Sequence, residues 1–155
     1  MFWFDKSNPY VVFMDKRVMD KQTIWVSKDS KETREFEVKP DIVADFQNLP
    51  FPDNSFFHVV FDPPHLTRAG ETSWLAKKYG ILGKNWREVI AKGFSECMRV
   101  LKPNGTLVFK WNETDIKVSE IIKLCEQRPL YGHISGKGGK THWLVFMKLN
   151  NDEEL

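Results

Sequence analysis

Continuous apolar runs along the chain predict buried β-strands. They occupy residues 10–14 (YVVFM), 58–61 (HVVF) and 106–111 (TLVFKW). Strands that consist of unbroken apolar runs are typical of sheets buried on both faces. Weaker strand signals lie in residues 16–40, where TIWV and EFEV flank the charged stretch SKDSKETR and predict a hairpin or an excursion.

Helical spacing appears between the strands. In residues 85–102 (NWREVIAKGFSECMRVLK) the apolar residues fall on one helical face, and Asn85 followed by Glu88 has the pattern of a capping box. The sequence KPNG is predicted to end this helix. A second helix is predicted to begin at a cap formed by Thr114 or Asp115. The stretch YGHISGKGGKTHWLVFMK predicts two strands joined by a glycine-rich turn.

Strands that alternate with helices predict an α/β fold with a mainly parallel sheet. In such sheets ligands bind beyond the carboxyl ends of the strands, where the loops converge. Polar or aromatic residues stand at four such places, namely Asp15, Asp45, Asp62 and Trp111–Asn112. We see no internal repeat, and the length of 155 residues predicts a single domain over residues 1–155, with residues 149–155 as a frayed tail.

Composition narrows the functional classes only slightly. The net charge of +2 permits a nucleic-acid partner without arguing for one. The two cysteines, Cys97 and Cys125, form no CxxC pair and predict reduced thiols without a metal site. No apolar run is long enough for export or for spanning a membrane, so we expect a soluble, cytoplasmic protein with no membrane partner.

A longer combination of residues resembles the class I S-adenosylmethionine-dependent methyltransferases. It consists of DIVADFQNLPFPDNSFFHVVFDPPHL followed by ECMRVLKPNGTLVF, and the resemblance covers residues 41–113. It implies a minimal Rossmann-like methyltransferase fold with a mainly parallel sheet and a C-terminal antiparallel hairpin. The cofactor that it implies is S-adenosyl-L-methionine.

The corner DPPH resembles the DPPY-type motif of methyltransferases that act on amino groups of bases, at adenine N6 or cytosine N4. In that resemblance Asp62 accepts an N–H bond from the target amine, and Pro63 and Pro64 hold a backbone carbonyl rigidly as a second acceptor. His65 takes the position that stacks on the base, where the family has Tyr, Phe or Trp, and it can stack less strongly than Tyr. These four residues are the predicted catalytic set, and DNA or RNA is the implied substrate. The alternative is that the corner only ends a strand.

The resemblance also implies where the cofactor binds. Asp15 corresponds to the acid that takes the ribose hydroxyls, and Asp45 with the Phe46 amide corresponds to the adenine contacts, while Asp62 completes the predicted cofactor set. The glycine-rich loop of the family is absent: YVVFMDKR has no glycine, and SGKGGKTHW lacks the helix that should follow. Residues 1–9 or a second subunit, in a homodimer or with a partner, would then hold the methionine end. Asp15 is equally well explained as a strand-end acid near Lys16 and Arg17.

Residues 66–85 are predicted to form a loop that mixes cations with aromatic rings. Such a mixture can clamp a nucleic-acid backbone and stack bases, and it is also typical of an ordinary lid over an active site. The weaker substrate-binding candidates are here and at the end of the third strand: Arg68, Trp74, Lys77, Lys78, Tyr79, Trp111 and Asn112. Trp111 is equally well explained as a core residue.

Three functions follow from these observations. The first is methylation of an amino nitrogen of a nucleic-acid base. The second is a catalytically silent protein of the same fold that binds a partner subunit or nucleic acid, which the absent glycine loop favours. The third is methylation of a small molecule, which His65 and the low net charge favour.

Overall fold

The computed structural model describes residues 3–25, 33–68, 70 and 73–149. The chain divides into two compact units, Met1–Phe46 and Gln47–Leu155, which we describe separately. A single methyltransferase-like domain over residues 1–155 stays a prediction. The predicted frayed tail lies, apart from Leu149, outside the described residues. Across the described ranges, every helix is too short or too polar to traverse a bilayer.

The first unit contains four strands in its described part. They are β1 (Met14–Asp15), β2 (Met19–Trp25), β3 (Thr33–Val38) and β4 (Ile42–Val43). Strands β2 and β3 pair antiparallel, so the hairpin predicted from TIWV and EFEV is confirmed, although residues 26–32 between the strands lie outside the described residues. Strands β1 and β4 pair in parallel, with Met14 opposite Ile42 and Asp15 opposite Val43.

The strand predicted over residues 10–14 is shorter than its apolar run. Only Met14 is in β1, and Tyr10 is exposed. The reason is that its partner strand, β4, has only two residues. The Phe13 N–H is bound by the Asp41 side chain at 2.8 Å, and the Phe13 carbonyl accepts from the Asp41 and Ile42 N–H groups at 2.8 and 3.2 Å. Pairing between strands therefore begins only at Met14.

The second unit is built around a four-stranded sheet. Its elements are β5 (Phe56–Phe61), α1 (Trp74–Tyr79), α2 (Trp86–Val100), β6 (Leu101–Asn112), α3 (Val118–Ile122), β7 (Tyr131–Ser135) and β8 (Thr141–Met147). The strand order is β5-β6-β8-β7. The β5–β6 pair is parallel, and the pairs β6–β8 and β7–β8 are antiparallel.

This architecture is a mixed α/β fold with parallel strands, and its layout differs from the expectation of a mainly parallel sheet. In the four-stranded sheet only the β5–β6 pair is parallel, because β7 and β8 return as the predicted C-terminal antiparallel hairpin. The glycine-rich turn of that hairpin is a short 3-10 turn, Lys137–Gly139. The φ angles of Gly136, Gly138 and Gly139 are between 64° and 79°, a region that glycine adopts without strain.

The core of the second unit lies between α2 and one face of this sheet. Buried and partly exposed residues alternate along β6 and β8, so one face is covered and the strands are not buried on both faces. Phe94 of α2 lies over that covered face, with its ring centroid 5.0 Å from Phe146 and 6.5 Å from Phe109. All three rings are fully buried. The helix predicted in residues 85–102 is therefore confirmed by α2, which ends at Val100 because residues 101–105 already belong to β6.

Two predicted helix caps are wrong in detail. Asn85 does occupy the position before α2, but its side chain makes no capping hydrogen bond, so the capping box does not form. Helix α3 begins only after Lys117, and neither Thr114 nor Asp115 caps it. The Glu113 side chain instead accepts from the Val118 N–H at 3.3 Å, while Asp115 binds the Thr67 N–H at 2.7 Å.

A charged clamp joins α2 to the segment LPFPDNSF. The Arg99 guanidinium donates to the Leu49 and Phe51 carbonyls at 3.0 and 2.9 Å and to Asp53 at 2.7 Å. It also binds both oxygens of Glu96 at 2.7 and 2.8 Å, and Glu96 accepts from the Leu49 N–H at 2.7 Å. The clamp fixes the path of the chain into β5, so these family-like residues have a structural role.

Protonation of Glu96 should loosen this clamp. The Arg99 guanidinium holds the pKa of Glu96 below its ordinary value of 4.5, against the opposing effect of burial, and the Leu49 N–H lowers that pKa further. A carboxyl whose pKa is lowered by folding stabilises the fold above its ordinary pKa, and this contribution is lost as the pH falls through the lowered value.

We expect Glu96→Gln to lower the free energy of unfolding at pH 7 by about 1 kcal/mol, at the low end for charged hydrogen bonds because the pair stays partly solvated. The difference from wild type should shrink in acid, as measured by urea unfolding at neutral pH and below the ordinary pKa of the carboxyl. Glu126→Gln, at an exposed acid, is the control. If Glu96→Gln lowers the free energy of unfolding by the same amount at both pH values, the negative charge of Glu96 does not contribute to stability through Arg99.

Candidate active site

The DPPH corner follows directly from the register of two strands. Phe61 ends β5 opposite Phe109 of β6, and both rings are buried, with centroids 4.9 Å apart. Because side chains alternate between the faces of a sheet, the next residues, Asp62 and Lys110, project from the opposite face. The carboxylate therefore emerges at the carboxyl end of a parallel strand, as the sequence predicts.

Asp62 forms an ion pair with Lys110. The ammonium Nζ lies 3.0 and 2.8 Å from the two carboxylate oxygens, and the two side chains are 39% and 24% exposed for Asp62 and Lys110. The Lys110 Nζ also lies 5.7 Å from the centre of the Trp143 ring. Each carboxylate oxygen has two acceptor positions, so a carboxylate held in this way can still accept another N–H.

The residues after Asp62 are fixed by their rings and by Asp115. Pro63 is buried and Pro64 is partly buried, and their rings restrict two successive φ angles. Thr67 lies two residues after His65. Its backbone N–H and its hydroxyl donate to the Asp115 side chain at 2.7 and 3.0 Å. These bonds hold the pKa of Asp115 below its ordinary value, against the effect of burial, and the bond from the Thr67 backbone N–H has the largest effect.

His65 lies against an aromatic ring at the mouth of the corner. Its ring centroid is 5.7 Å from that of Tyr79, with a tilt of 54°. Burial lowers the pKa of His65 below 6.5; the Asp62 charge opposes this, and the Lys110 charge adds to it. His65 is therefore mainly neutral at pH 7, which suits a ring that stacks.

The stretch predicted as a loop over residues 66–85 contains the short helix α1. Ser73 caps it, with its hydroxyl accepting from the Ala76 N–H at 3.1 Å, and the Leu82 N–H binds the Leu66 carbonyl at 2.8 Å. These bonds fold the stretch back on itself. The part formed by residues 69, 71 and 72 lies outside the described residues.

Helix α1 brings cationic and aromatic candidates together. The Lys78 Nζ lies 5.2 Å from the centre of the Tyr79 ring and 5.8 Å from that of Trp74. Both rings are partly exposed, as is Lys77. Arg68 is exposed on the segment between His65 and α1. Of this set, the described contacts link Tyr79 to His65 and therefore to the corner.

Two of the candidates at the end of β6 have structural contacts. Trp111 is fully buried, and its indole N–H donates to the Ile116 carbonyl at 2.9 Å, so it belongs to the core and cannot form a wall for a substrate. Asn112 donates to the Thr141 hydroxyl at 3.2 Å and accepts from the Thr114 N–H and hydroxyl at 3.1 and 2.6 Å. Its amide therefore holds the turn that leaves the strand.

In the first unit, Asp15 is bound by Arg17. The Arg17 backbone N–H and Nε each lie 2.9 Å from one carboxylate oxygen, and Nη2 lies 2.8 Å from the other. Burial by itself raises the pKa of Asp15, but these bonds and the charges of Arg17 and Lys16 outweigh it, so the pKa lies below its ordinary value. This geometry matches the structural explanation of Asp15, since both oxygens already have a partner.

Asp45 and Asp15 lie at the same end of the small parallel pair β1–β4. Asp15 is opposite Val43, two residues before Asp45, and the Ala44 N–H binds the Asp15 carbonyl at 3.3 Å. Lys16 reaches Asp45 at 3.7 Å, longer than a hydrogen bond, and the Asp45 side chain is partly exposed. Phe46 is the last residue of this unit and is partly buried.

Sequence reasoning missed two residues that shape the corner, namely Lys110 as the partner of Asp62 and Asp115 as the anchor of Thr67. A signal for Lys110 was present, because a lysine inside the apolar run TLVFKW needs a partner or an exposed face. No comparable signal marked Asp115. Within the described ranges, no three His, Cys, Asp or Glu side chains cluster in a way that could hold a metal ion.

In a comparison with known structures, the chain is distantly similar to the crystal structure of a provisionally assigned DNA modification methylase from Thermus thermophilus, in its selenomethionine form, with 16% sequence identity and a TM-score of 0.46. The similarity covers 68% of this chain and 50% of the methylase, so the chain spans half the length of that protein. No protein-family model matches the chain, and no curated protein matches it.

The charges around His65 predict opposite effects of two substitutions. Asp62→Asn removes the larger of the two charges that raise the pKa of His65, the other being that of Asp115, so that pKa should fall further below 6.5. Lys110→Met removes a charge that lowers it, so the pKa should rise. NMR titration of the His65 ring measures both, with His65→Gln used to assign the signal. Shifts of the same sign in the two variants would contradict this arrangement of charges.

Proposed function

We propose that the protein is an S-adenosylmethionine-dependent methyltransferase that acts on an amino nitrogen of a nucleic-acid base. The observation that carries the proposal is the DPPH corner. It presents a partly exposed carboxylate at the end of a parallel strand, on a backbone restricted by two prolines and beside a mainly neutral His65 whose ring contacts Tyr79. The sequence resemblance over residues 41–113 supports the same function.

Asp62 is the proposed acceptor for the target amine. An amine conjugated to a base ring is a weak nucleophile, and a carboxylate that accepts its N–H favours the positive charge that develops on nitrogen. Lys110 holds both carboxylate oxygens and so fixes their direction before the amine arrives. Its positive charge also weakens the carboxylate as an acceptor. The proposed role of Lys110 is therefore to position the carboxylate and not to increase its strength as an acceptor. The carbonyl between Pro63 and Pro64 is the second proposed acceptor.

Stacking supports a base as the substrate class. His65 is mainly neutral at pH 7, and its ring already contacts Tyr79, so a planar ring entering the corner would meet an aromatic surface. Base–aromatic stacking contributes about 1–3 kcal/mol per base. The positively charged Lys78 ammonium lies near the Trp74 and Tyr79 rings. The exposed Arg68 and Lys77 provide two further positive charges in the same stretch of chain.

The residues of the first unit fit the adenosine part of the cofactor only in part. The partly exposed Asp45 and the Phe46 amide are suited to an adenine ring, whereas Asp15 would have to exchange its Arg17 bonds for ribose hydroxyls. When bound, the cofactor supplies an electrophilic methyl group. For the edge of the adenine ring, Asp45 would provide an acceptor and the Phe46 amide a donor.

Asp45→Ala should weaken the binding of S-adenosylhomocysteine by about 1–3 kcal/mol, the cost of losing a polar partner of a bound group. Calorimetric titration measures this change. Asp20→Ala, at an exposed acid of the same unit, should leave the affinity unchanged. An unchanged affinity in a folded Asp45→Ala variant would remove Asp45 from the cofactor site.

Asp62→Asn should lower turnover by about two to three orders of magnitude, the scale seen when one preorganised electrostatic partner is lost. Affinity for S-adenosylhomocysteine should change little, because in this proposal Asp62 binds the target amine and is not needed for the cofactor set in which the sequence also placed it. Transfer of a labelled methyl group to DNA and RNA oligonucleotides measures the rate, and calorimetry measures the affinity. Wild-type turnover in Asp62→Asn would end the proposed mechanism.

One observation favours the catalytically silent alternative. Asp62 and Asp15, which the resemblance assigns to amine and ribose, both have their two oxygens bound by a cation of the same chain. A silent protein would bind neither S-adenosylmethionine nor S-adenosylhomocysteine in the calorimeter at millimolar concentration. Cofactor binding without retention on DNA or RNA at low salt would instead favour a small-molecule substrate.

A further inference from the structure

Strand β7 forms one edge of the four-stranded sheet of the second unit. Its inner side pairs with β8, from Tyr131 opposite Val145 to Ser135 opposite Thr141. An edge strand directs alternate backbone N–H and C=O groups away from the sheet, where another strand can bind them. Three large apolar side chains are exposed along this edge: Leu130 (57%), Tyr131 (67%) and Ile134 (57%).

The edge carries neither the charges nor the prolines that commonly prevent strands from associating. Residues 130–136 read LYGHISG and contain no lysine, arginine, aspartate, glutamate or proline. Natural edge strands are commonly protected by charges, prolines or bulges. An uncharged edge with exposed apolar side chains is therefore suited to pairing with another strand.

We infer that β7 pairs antiparallel with β7 of a second copy of this chain, around a two-fold axis at His133. This pairing would join two four-stranded sheets into one continuous sheet. It places Tyr131 opposite Ser135 of the second copy, and Gly132 opposite Ile134. The contact is the same surface on both copies, as a two-fold interface requires.

Side-chain sizes favour a second copy over an unrelated strand. In this register each large side chain lies opposite a small one on both faces of the sheet, Tyr131 against Ser135 and Ile134 against Gly132. Glycine is required at position 132 for a separate reason, since an added Cβ would lie 2.6 Å from the Trp143 carbonyl oxygen. Position 132 therefore stays without a side chain, opposite the Ile134 side chain of the other copy.

The dimer should be weak, because a five-residue strand forms a small interface. Interfaces at the low end of the size range form transient complexes, so we expect a dissociation constant on the order of 10 μM. Sedimentation velocity of the full chain over a concentration series measures it.

Ile134→Lys places a charge on the edge and should weaken the dimer at least about tenfold, or 1.4 kcal/mol. The matched control is Phe57→Lys, since Phe57 is 71% exposed on β5 at the opposite edge of the same sheet. We expect its dissociation constant to equal that of wild type. A wild-type chain that stays monomeric at about 100 μM, well above the expected constant, would overturn the inference.

Cross-linking tests the register. Directly opposed residues of antiparallel strands have Cα atoms about 4.5–5.5 Å apart, within the range that a disulfide spans. His133→Cys, in a Cys125→Ser background that leaves only the buried Cys97, should therefore form a disulfide-linked dimer under mild oxidation. Phe57→Cys in the same background should not. A dimeric His133→Cys variant that fails to cross-link would overturn the register centred on His133, and equal cross-linking of both variants would show that β7 is not the interface.

Discussion

The parallel register between β5 and β6 is the constraint on which both the core and the candidate site depend. It sets Phe61 beside Phe109 on the face covered by α2, and the alternation of side chains then sends Asp62 and Lys110 to the other face. A shift of β5 by one residue relative to β6 would move the Phe61 ring to the exposed face and the Asp62 carboxylate to the covered face, away from Lys110. The packing of Phe94 on Phe109 and Phe146 therefore fixes the position of the carboxylate.

The segment that most resembles a methyltransferase is also the segment that the Arg99–Glu96 clamp holds. In LPFPDNSF the polar contacts come largely from backbone carbonyls and from Asp53, which bind the Arg99 guanidinium. The guanidinium offers five N–H donors in a fixed plane, so a single side chain can bind several carbonyls and a carboxylate. A family-like pattern can thus reflect how a strand is anchored as well as what the site does.

Charge pairing determines what the candidate acids can do. Asp62 and Asp15 each bind a cation from their own chain, and Lys110 also affects the protonation of His65. These pairs are partly solvated, so each contributes little to stability, but each fixes the direction of a carboxylate. A ligand that binds either acid must share it with that cation. The affinity for such a ligand, and any rate that depends on the acid, should therefore depend on Lys110 for Asp62 and on Arg17 for Asp15.

The sequence by itself determined the mixed α/β class, the helix α2, the strands β5, β6 and β8, the C-terminal hairpin and the corner at Asp62, because periodicity, turn residues and prolines act locally. It could not determine the partners of that corner. Lys110 and Asp115 are each 48 residues from the groups they bind, Asp62 and Thr67, and only strand register and loop packing bring them together. For the same reason Trp111 could not be assigned from sequence: its burial depends on the covered face of the sheet and on the Ile116 carbonyl, which only the tertiary structure supplies.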